Sequence, residues 1–299
     1  MQDYTHCTLC PRLCGVDRLS GKRGACHAGA LPHVAHVMLH AWEEPCLSGT
    51  RGSGAVFFSG CSLGCVYCQN HEISRSYIGA EFDTEALADL YLSLEKQGAH
   101  NVNLVTASHH IPHVIASVAR AKDGGLTVPI VYNTSGYERT ESIGRLTGTV
   151  DVFLTDVRYA SQGTAARYSH APDYPEVAMR ALGEMVRVAG GVRFDAEGLM
   201  TGGVIVRILL LPGHLIEAKQ ILKRVYTAFG DSVYISLMSQ YTPTKTAADA
   251  DPLLARTVTP YEYRSFVAYA QSLGVTHAFT QEGSVAKESF IPDFLGKKT

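Results

Sequence analysis

The chain has 299 residues, of which 46% are hydrophobic, and a formal net charge of -2. This length and composition suffice to bury a sizeable core, which favours one large globular domain with a small appendage. The charge leaves no basic excess, so we expect neither nucleic acid nor a membrane surface as a partner. A polar N-terminus and the lack of an apolar run of roughly 18 residues favour a cytoplasmic protein.

From residue 54 onward, short β-branched or aromatic runs alternate with longer helical patterns. This alternation is typical of βα units repeated around a parallel sheet. The predicted strands are 55–59, 102–106, 130–133, 152–156, 204–211, 233–238 and 276–279. The predicted helices are 84–97, 111–121, 139–146, 175–189, 217–229 and 260–273. Asp83 or Thr84 is the predicted N-cap of the first helix, and Thr259 with Pro260 begins the last.

A glycine-rich stretch at residues 47–54 separates a cysteine-rich part of the chain from the α/β part. We therefore predict a cysteine-rich N-terminal module at residues 1–50 and an α/β domain at residues 51–299. All eight cysteines lie between Cys7 and Cys68. In a reducing compartment such clustered thiols are more typical of metal sites than of disulfides.

Three cysteines, Cys61, Cys65 and Cys68, follow the first predicted strand with the spacing C-x3-C-x2-C. Parallel α/β domains place their ligand-binding loops at this end of a strand. Thiolates this close on one loop can hold a cube of iron and sulfide, and three ligands for four irons leave one iron open to a small molecule. The alternatives are a structural zinc site with a fourth cysteine from elsewhere, and buried free thiols.

This loop resembles the signature of the radical SAM superfamily, in which an aromatic residue precedes the last cysteine, as Tyr67 does here. A closer resemblance, to the pyruvate formate-lyase activating enzymes and their PflX-type branch, covers nearly the whole chain. It rests on five segments: WEEP at 42–45, GAVFFSGC at 54–61, YNTSGY at 132–137, LLLPG at 209–213 and SLMSQY at 236–241.

The resemblance implies a 4Fe-4S cluster whose open iron binds S-adenosyl-L-methionine. Reductive cleavage would give methionine and a 5'-deoxyadenosyl radical that abstracts hydrogen from a substrate, as in a radical SAM oxidoreductase. A flavodoxin- or ferredoxin-type protein is the expected electron donor. The expected fold is an open (β/α)6-type parallel barrel, the radical SAM core, with a small N-terminal metal-binding module.

Three functional hypotheses stay open. The first is an activase that installs a glycyl radical on a partner protein. The second is direct radical modification of a small molecule or peptide. The third is a non-catalytic iron-sulfur protein for electron transfer or cluster assembly, which would hold a cluster without cleaving S-adenosylmethionine.

Residues at the carboxyl ends of the strands are the candidates for contact with the cosubstrate. With the two that flank Cys68 they are Tyr67, Gln69, Thr106, Ser108, Asn133, Ser135, Gly136, Asp156, Arg158, Arg207 and Gln240. For each one singly, a salt bridge or a turn hydrogen bond is the alternative. By resemblance, Asp156 and Arg158 stand where an Asp-x-Lys pair lines the site, and arginine changes the donor geometry.

The second predicted strand departs from the family pattern. Residues 104–110 read LVTASHH where radical SAM proteins usually carry a Gly-Gly-Glu-like turn. Thr106 and Ser108 still offer oxygen acceptors. His109 and His110 are candidates for action near the radical, or an ordinary loop feature.

The N-terminal cysteines Cys7, Cys10, Cys14 and Cys26 supply four soft ligands within about 20 residues, enough to close a tetrahedral site. Zinc there would stabilise a segment too short to fold on its own core. The alternatives are a second iron-sulfur cluster that relays electrons or docks a partner, and free or redox-active thiols.

Three further side chains lie near the predicted boundary between the two units. Cys46 is expected to be a buried, inert thiol. Glu43 and Glu44 either face the active site, where they could bind a cationic group, or are solvated.

Overall fold

The computed structural model describes residues 2–281 and is of the mixed α/β class. Its strands are β1 His33–His40, β2 Ser53–Phe58, β3 Ala80–Glu81, β4 Val102–Val105, β5 Ile130–Thr134, β6 Val152–Asp156, β7 Arg193–Phe194, β8 Met200–Leu209, β9 Tyr234–Met238 and β10 Ala278–Thr280. Its helices are α1 Gln2–Thr5, α2 Pro45–Ser48, α3 His71–Ser74, α4 Thr84–Lys96, α5 Ile111–Asp123, α6 Thr140–Gly144, α7 Gln162–Ser169, α8 Tyr174–Ala189, α9 Leu215–Phe229, α10 Lys245–Ala250 and α11 Pro260–Ser272.

The strands form one mostly parallel sheet that does not close on itself. Its order is β10-β9-β8-β6-β5-β4-β2-β1-β3, with β7 paired to β8. The run from β2 to β10 in that order is parallel, whereas β1 pairs antiparallel with β2 and β3 with β1. The α/β class and the open, mostly parallel sheet agree with the prediction, and the sheet is compatible with a TIM-like core.

The two predicted helix starts have the expected capping contacts. The Asp83 carboxylate accepts a hydrogen bond from the backbone N–H of Ala86 at 2.8 Å. Thr259 and Glu262 form a reciprocal capping box at the start of α11. Each cap satisfies backbone donors that the first turn leaves free.

Strand β1 is absent from the sequence prediction, because its histidines interrupt the apolar pattern that marks a strand. It lies within the predicted module at 1–50, yet it pairs with β2 beyond the predicted boundary. Residues on both sides of that boundary therefore share one sheet. Residues 282–299 of the predicted domain lie outside the described residues.

The main core lies between the sheet and the helices α4, α5, α8, α9 and α11. Tyr132 of β5 and Phe153 of β6 point into it, while their neighbours Val131 and Leu154 point to the opposite face, as strand geometry requires. On that opposite face a smaller cluster includes Leu47 of α2. Within residues 2–281, no helix combines the length and the apolar character that crossing a membrane requires.

Candidate iron-sulfur site

The loop that carries the cysteine triad begins directly after β2 and depends on two glycines. Gly60 has φ of 88° and Gly64 has φ of 61°. A Cβ atom at Gly60 would lie 2.4 Å from the Cys26 carbonyl oxygen, and one at Gly64 would lie 2.8 Å from the Arg75 guanidinium carbon. The backbone contact at Gly60 leaves no room for a side chain, and the left-handed φ at both positions favours glycine, which lets the loop turn at the carboxyl end of β2.

The three thiols of the loop influence one another. Burial, and then the neighbouring Cys65 thiol, raises the pKa of Cys61. The same causes, with Cys61 added, raise the pKa of Cys68 to about 11. Three thiolates in this position repel one another unless a positively charged centre lies among them. The donor set and its electrostatics therefore fit an iron-sulfur cluster held by Cys61, Cys65 and Cys68.

Two side chains donate hydrogen bonds to the Cys65 sulfur. Ser169 Oγ lies 2.8 Å from Cys65 Sγ, and Arg158 Nη1 lies 3.3 Å from it. Ser169 Oγ is itself 2.6 Å from the hydroxyl oxygen of Tyr159, whose hydroxyl is also 2.8 Å from that of Tyr67. Hydrogen bonds to a ligating sulfur tune the potential of a cluster, so these contacts bear on electron transfer.

Two adjoining cavities lie beside the loop. The larger has a volume of about 210 Å³, and the smaller, of about 100 Å³, is lined by all three thiols. Their shared wall includes Cys68, Asn133, Asp156, Arg158 and Arg207. The cavities therefore join the triad to the carboxyl ends of several parallel strands, where α/β proteins bind ligands.

An ion-pair network crosses the shared wall. Asp156 Oδ1 accepts from Arg207 Nε at 2.8 Å, and Asp156 Oδ2 accepts from Arg158 Nη2 at 2.5 Å. Burial opposes ionisation of Asp156, but the two guanidinium groups hold its pKa below the ordinary value. Arg207 Nη2 also donates to Asn133 Oδ1 at 2.7 Å. The network fixes these side chains relative to one another and to Cys65.

Of the two glutamates before α2, Glu43 lines the larger cavity, whereas Glu44 is buried and lines neither cavity. Glu43 Oε2 lies 3.4 Å from Arg207 Nη1, and its Oε1 accepts from the side-chain amides of Asn103 and Asn133. Glu44 is 7% exposed, so the solvated alternative is wrong for it, and the Glu43 side chain is only 9% exposed. Burial raises the pKa of both carboxyl groups, and the Arg207 charge opposes that shift.

Most of the predicted strand-end residues line the cavities. The larger cavity is lined by Tyr67, Gln69, Asn133, Asp156, Arg158, Arg207 and Gln240, and the smaller by Thr106 and Ser135 among others. Gln69 Nε2 donates to the Gln240 carbonyl at 2.9 Å, which ties the cysteine loop to the segment after β9.

Two predicted contacts, Ser108 and Gly136, line neither cavity. The Ser108 hydroxyl donates to the Glu138 carboxylate instead. Gly136 has φ of 78°, and a Cβ there would lie 2.3 Å from the Asp156 carbonyl oxygen. Both residues therefore serve the packing around the site in this structure.

Thr106 takes a backbone conformation that is unusual for a β-branched residue. Its φ is 61°, in the left-handed region, and its N–H donates to the Asn133 carbonyl at 2.9 Å. The turn after β4 thus has a torsion typical of glycine although the sequence has none there.

His109 and His110 are buried and line neither cavity. His109 Nε2 lies 2.8 Å from the Ser59 carbonyl oxygen, as a donor. Burial and the Arg18 charge lower the pKa of His109 to about 3, so its imidazole is neutral. His109 and His110 therefore fit the interpretation as an ordinary loop feature, because neither side chain faces the cavities.

The N-terminal thiols line neither of the two cavities. Cys7, Cys10 and Cys26 are buried, while Cys14 is exposed. Burial is the main cause that raises the pKa of Cys10, to about 12, and that of Cys26. In the described part of the chain no group of three or more histidine, cysteine, aspartate or glutamate side chains is already arranged to hold a metal ion.

One contact to the cysteine loop is missing from the sequence prediction. Arg12 donates to the Ser62 carbonyl at 2.8 Å, the Ser169 carbonyl at 3.1 Å and the His170 carbonyl at 2.6 Å. The only sequence signal was its position between Cys10 and Cys14. Its partners are far away in the chain, so the sequence could not reveal them.

The comparisons with known proteins agree with this site. Residues 48–169 match the family model of the 4Fe-4S single cluster domain. The match includes Cys61, Cys65 and Cys68 and excludes the cysteines before residue 48. The chain is also 26% identical, over 247 residues, to an uncharacterized protein of Methanocaldococcus jannaschii, covering 80% of this chain and 67% of that protein. The family match supports an iron-sulfur protein with a 4Fe-4S cluster on this part of the chain.

Proposed function

We propose that this protein is a radical SAM enzyme that cleaves S-adenosyl-L-methionine reductively. The observation that carries the proposal is the junction between the triad and the cavities. Three thiols on one loop line a cavity whose other walls bear polar strand-end side chains. A cluster with three protein ligands keeps one iron open, and the larger cavity beside it offers room for a polar ligand.

The charges of the site support a cationic cosubstrate. Three largely buried carboxyl groups, those of Glu43, Glu44 and Asp156, lie with two guanidinium groups, those of Arg158 and Arg207. The thiolate ligands of a cluster add further negative charge. S-adenosylmethionine carries a sulfonium, an ammonium and a carboxylate group, so it is a cation overall, and carboxyl and guanidinium groups side by side offer partners for both kinds of charge.

When bound, a cluster at this loop would supply the electron for cleavage of the S-adenosylmethionine sulfonium to methionine and a 5'-deoxyadenosyl radical, and that radical would take hydrogen from a substrate. Cys61, Cys65 and Cys68 hold the cluster in this proposal. Arg158 and Ser169 donate to the Cys65 sulfur, and Asp156 holds the two guanidinium groups in place. The other cavity-lining side chains orient the cosubstrate and exclude water.

Two partners belong to the proposal. A flavodoxin- or ferredoxin-type protein provides the electron. The hydrogen donor is a glycyl-radical protein, in which case the enzyme is an activase, or a small molecule or peptide that is modified directly.

The test is anaerobic reconstitution of the full chain with iron and sulfide, reduction with dithionite, and chromatography for 5'-deoxyadenosine. We expect product from the wild type and from Cys46→Ala, which removes a buried thiol outside the cavities. We expect none from Cys61→Ala, Cys65→Ala or Cys68→Ala. A wild-type protein that binds a 4Fe-4S cluster yet forms no 5'-deoxyadenosine would favour the non-catalytic alternative and end the proposal.

A further inference from the structure

Arg18 is a buried guanidinium group that has no carboxylate partner among residues 2–281. It is 2% exposed. Its nitrogens donate to the carbonyl oxygens of Gly29 and His109, and it lies over the ring of Tyr4, 4.5 Å from the centroid. Among residues 2–281 no salt bridge involves Arg18. A buried charge without a counter-charge is strongly unfavourable, so an anionic partner is expected close by.

The nearest groups that can become anionic are thiols. Cys7 Sγ lies 3.8 Å from Arg18 Nη1. Cys26, which belongs to the same N-terminal part of the chain, is also buried. A neutral thiol does not balance a guanidinium charge, whereas a thiolate does. Metal coordination is the ordinary way in which a buried cysteine becomes a thiolate.

Backbone contacts bring the remaining two cysteines toward this pair. Cys7 N donates to the Val16 carbonyl at 3.0 Å, and Gly15 N donates to the Cys7 carbonyl at 2.9 Å, which closes the segment between them. Cys14 Sγ accepts from Ala25 N at 3.3 Å. A Cβ at Gly24 would lie 2.7 Å from that sulfur, so glycine leaves the space that Cys14 fills. Cys14 therefore lies beside the residues that precede Cys26.

We propose that Cys7, Cys10, Cys14 and Cys26 hold a second metal centre as thiolates, with Arg18 as its buried counter-cation. Binding forms four metal–sulfur bonds and releases the four thiol protons to solvent. Four thiolates around one divalent ion carry a net negative charge, and so do four thiolates around a 4Fe-4S core. Either centre balances Arg18, and either is closed to further ligands.

The thiols must draw together when the metal binds, because no set among the described residues is already arranged to hold a metal ion. The same holds for Cys61, Cys65 and Cys68, whose segment nevertheless matches a 4Fe-4S family. Since Arg18 forms no salt bridge among residues 2–281, its charge favours four thiolates that hold a metal over four neutral thiols.

The proposed centre adjoins the triad loop and would hold it in position. Arg12, between Cys10 and Cys14, donates to the Ser62 carbonyl within the triad loop. Arg18 donates to the His109 carbonyl, and the His109 ring donates to the Ser59 carbonyl just before that loop. Closing the N-terminal thiols around a metal would fix both arginines. We assign the centre a positioning role with no place for substrate.

Metal analysis of two variants tests the site without reference to S-adenosylmethionine. The triple variant Cys61→Ala, Cys65→Ala, Cys68→Ala lacks every triad thiol, and we expect it to keep one zinc ion or one iron-sulfur cluster per chain. Elemental analysis, acid-labile sulfide and the absorption spectrum identify which. The double variant Cys7→Ser, Cys26→Ser should lose that metal and keep the triad cluster. A triple variant with a native circular dichroism spectrum and neither zinc nor iron overturns the proposal.

The role of Arg18 has its own test. Release of the N-terminal metal to a chelator should be about 10- to 100-fold faster in Arg18→Met than in wild type, the range seen when groups around metal ligands are removed. Arg23→Met is the matched control, because Arg23 belongs to the same segment but is exposed. Equal release from Arg18→Met and wild type would show that Arg18 is not the counter-cation. The triple variant lacks the proposed ligands of the catalytic cluster. Metal analysis of this variant therefore tests the N-terminal site independently of the proposed function.

Discussion

The two groups of cysteines lie in different surroundings. Cys61, Cys65 and Cys68 line a cavity that continues into a larger one with charged walls. Cys7, Cys10 and Cys26 are buried and line neither of these cavities, and Cys7 lies beside Arg18, which forms no salt bridge among residues 2–281. The first arrangement leaves room for a ligand next to the metal, and the second offers only a counter-charge.

This difference suggests that the two groups of cysteines have different roles, one in the reaction and one in holding the chain in position. A metal site that performs chemistry needs an open position, whereas a site that only stabilises the chain uses all its positions for protein ligands. The ion pairs around Asp156 belong to the first region and the contacts of Arg12 link the two. Changes in the first region should therefore abolish product, and changes in the second should weaken it.

The largest expected effect is on Cys65. Cys65→Ala removes a proposed ligand of the cluster, so under the proposed function 5'-deoxyadenosine should fall to the level of a reaction without enzyme. Cys10→Ala should reduce product by about 10- to 100-fold through the loosened triad loop, without abolishing it. Cys46→Ala should match wild type. Equal and complete loss in folded Cys10→Ala and Cys65→Ala would remove the distinction between the two regions.

The next effect concerns Asp156, which pairs with two largely buried guanidinium groups. Asp156→Asn leaves Arg158 and Arg207 short of a counter-charge, and we expect the free energy of unfolding to fall by about 3 kcal/mol at neutral pH. Because the folded pKa of Asp156 is lowered, the wild-type advantage is present above pH 4 or so and is lost as the pH falls through that folded pKa.

Urea denaturation at two pH values measures this change. Glu85→Gln is the control, since its pair with Arg120 is on the surface and should change the unfolding free energy far less. An Asp156→Asn protein with the wild-type midpoint at pH 7 would show that the network contributes nothing to stability.

An effect of about the same size, seen only as a change with pH, involves Glu138, whose hydrogen-bond partner Thr134 lines the smaller cavity. It accepts hydrogen bonds from Ser108 and Thr134, and burial raises its pKa from 4.5 to about 7. The folded state therefore holds a proton that the unfolded chain has lost. The Glu138 contribution should make the wild type less stable as the pH rises from about 4.5 to 7, by roughly 3 kcal/mol in total, and then stay constant.

Glu138→Gln removes that ionisation and keeps an oxygen acceptor. We expect the variant to lose less stability than wild type between pH 5 and pH 8 in urea denaturation. Glu141→Gln, in the exposed first turn of α6, should keep the wild-type pH dependence. A Glu138→Gln protein with an unchanged pH dependence would mean that Glu138 is ionised throughout.

The smallest expected effect is on Ser169. If Cys65 holds the cluster as proposed, its hydrogen bond from Ser169 would stabilise the added negative charge of the reduced cluster, so Ser169→Ala should lower the reduction potential. A hydrogen bond of about 1 kcal/mol corresponds to roughly 40 mV for one electron. A redox titration followed by electron paramagnetic resonance measures the shift, with the exposed Ser272→Ala as control. A potential that stays constant or rises would contradict the role assigned to this bond.

The sequence predicted the parallel strands and most long helices because their patterns are local. Residues 152–156, for example, form a continuous run with a buried interior, and β6 has the predicted bounds. The position of β1 was not predictable, since its pairing with β2 is a tertiary contact and its histidines hide the pattern. The triad was evident from spacing alone.

The rest of the site depended on contacts between distant parts of the chain. Arg18 looks like any charged loop residue in the sequence, and only its contact with His109, 91 positions away, reveals that it is buried. Glu43 and Glu44 left two interpretations open until their burial beside Arg207 was known. Burial of polar side chains is set by tertiary packing, and local patterns carry little information about it.

The backbone torsion of Thr106 bears on how related chains can be recognised from their sequences. Its left-handed φ of 61° gives the turn after β4 a torsion typical of glycine, at an energetic cost of about 1–2 kcal/mol that the surrounding contacts must offset. The requirement at this position thus concerns a torsion angle more than a residue type. A search pattern that demands glycine there would pass over this chain, whereas one that combines the cysteine spacing with the backbone angle would find it.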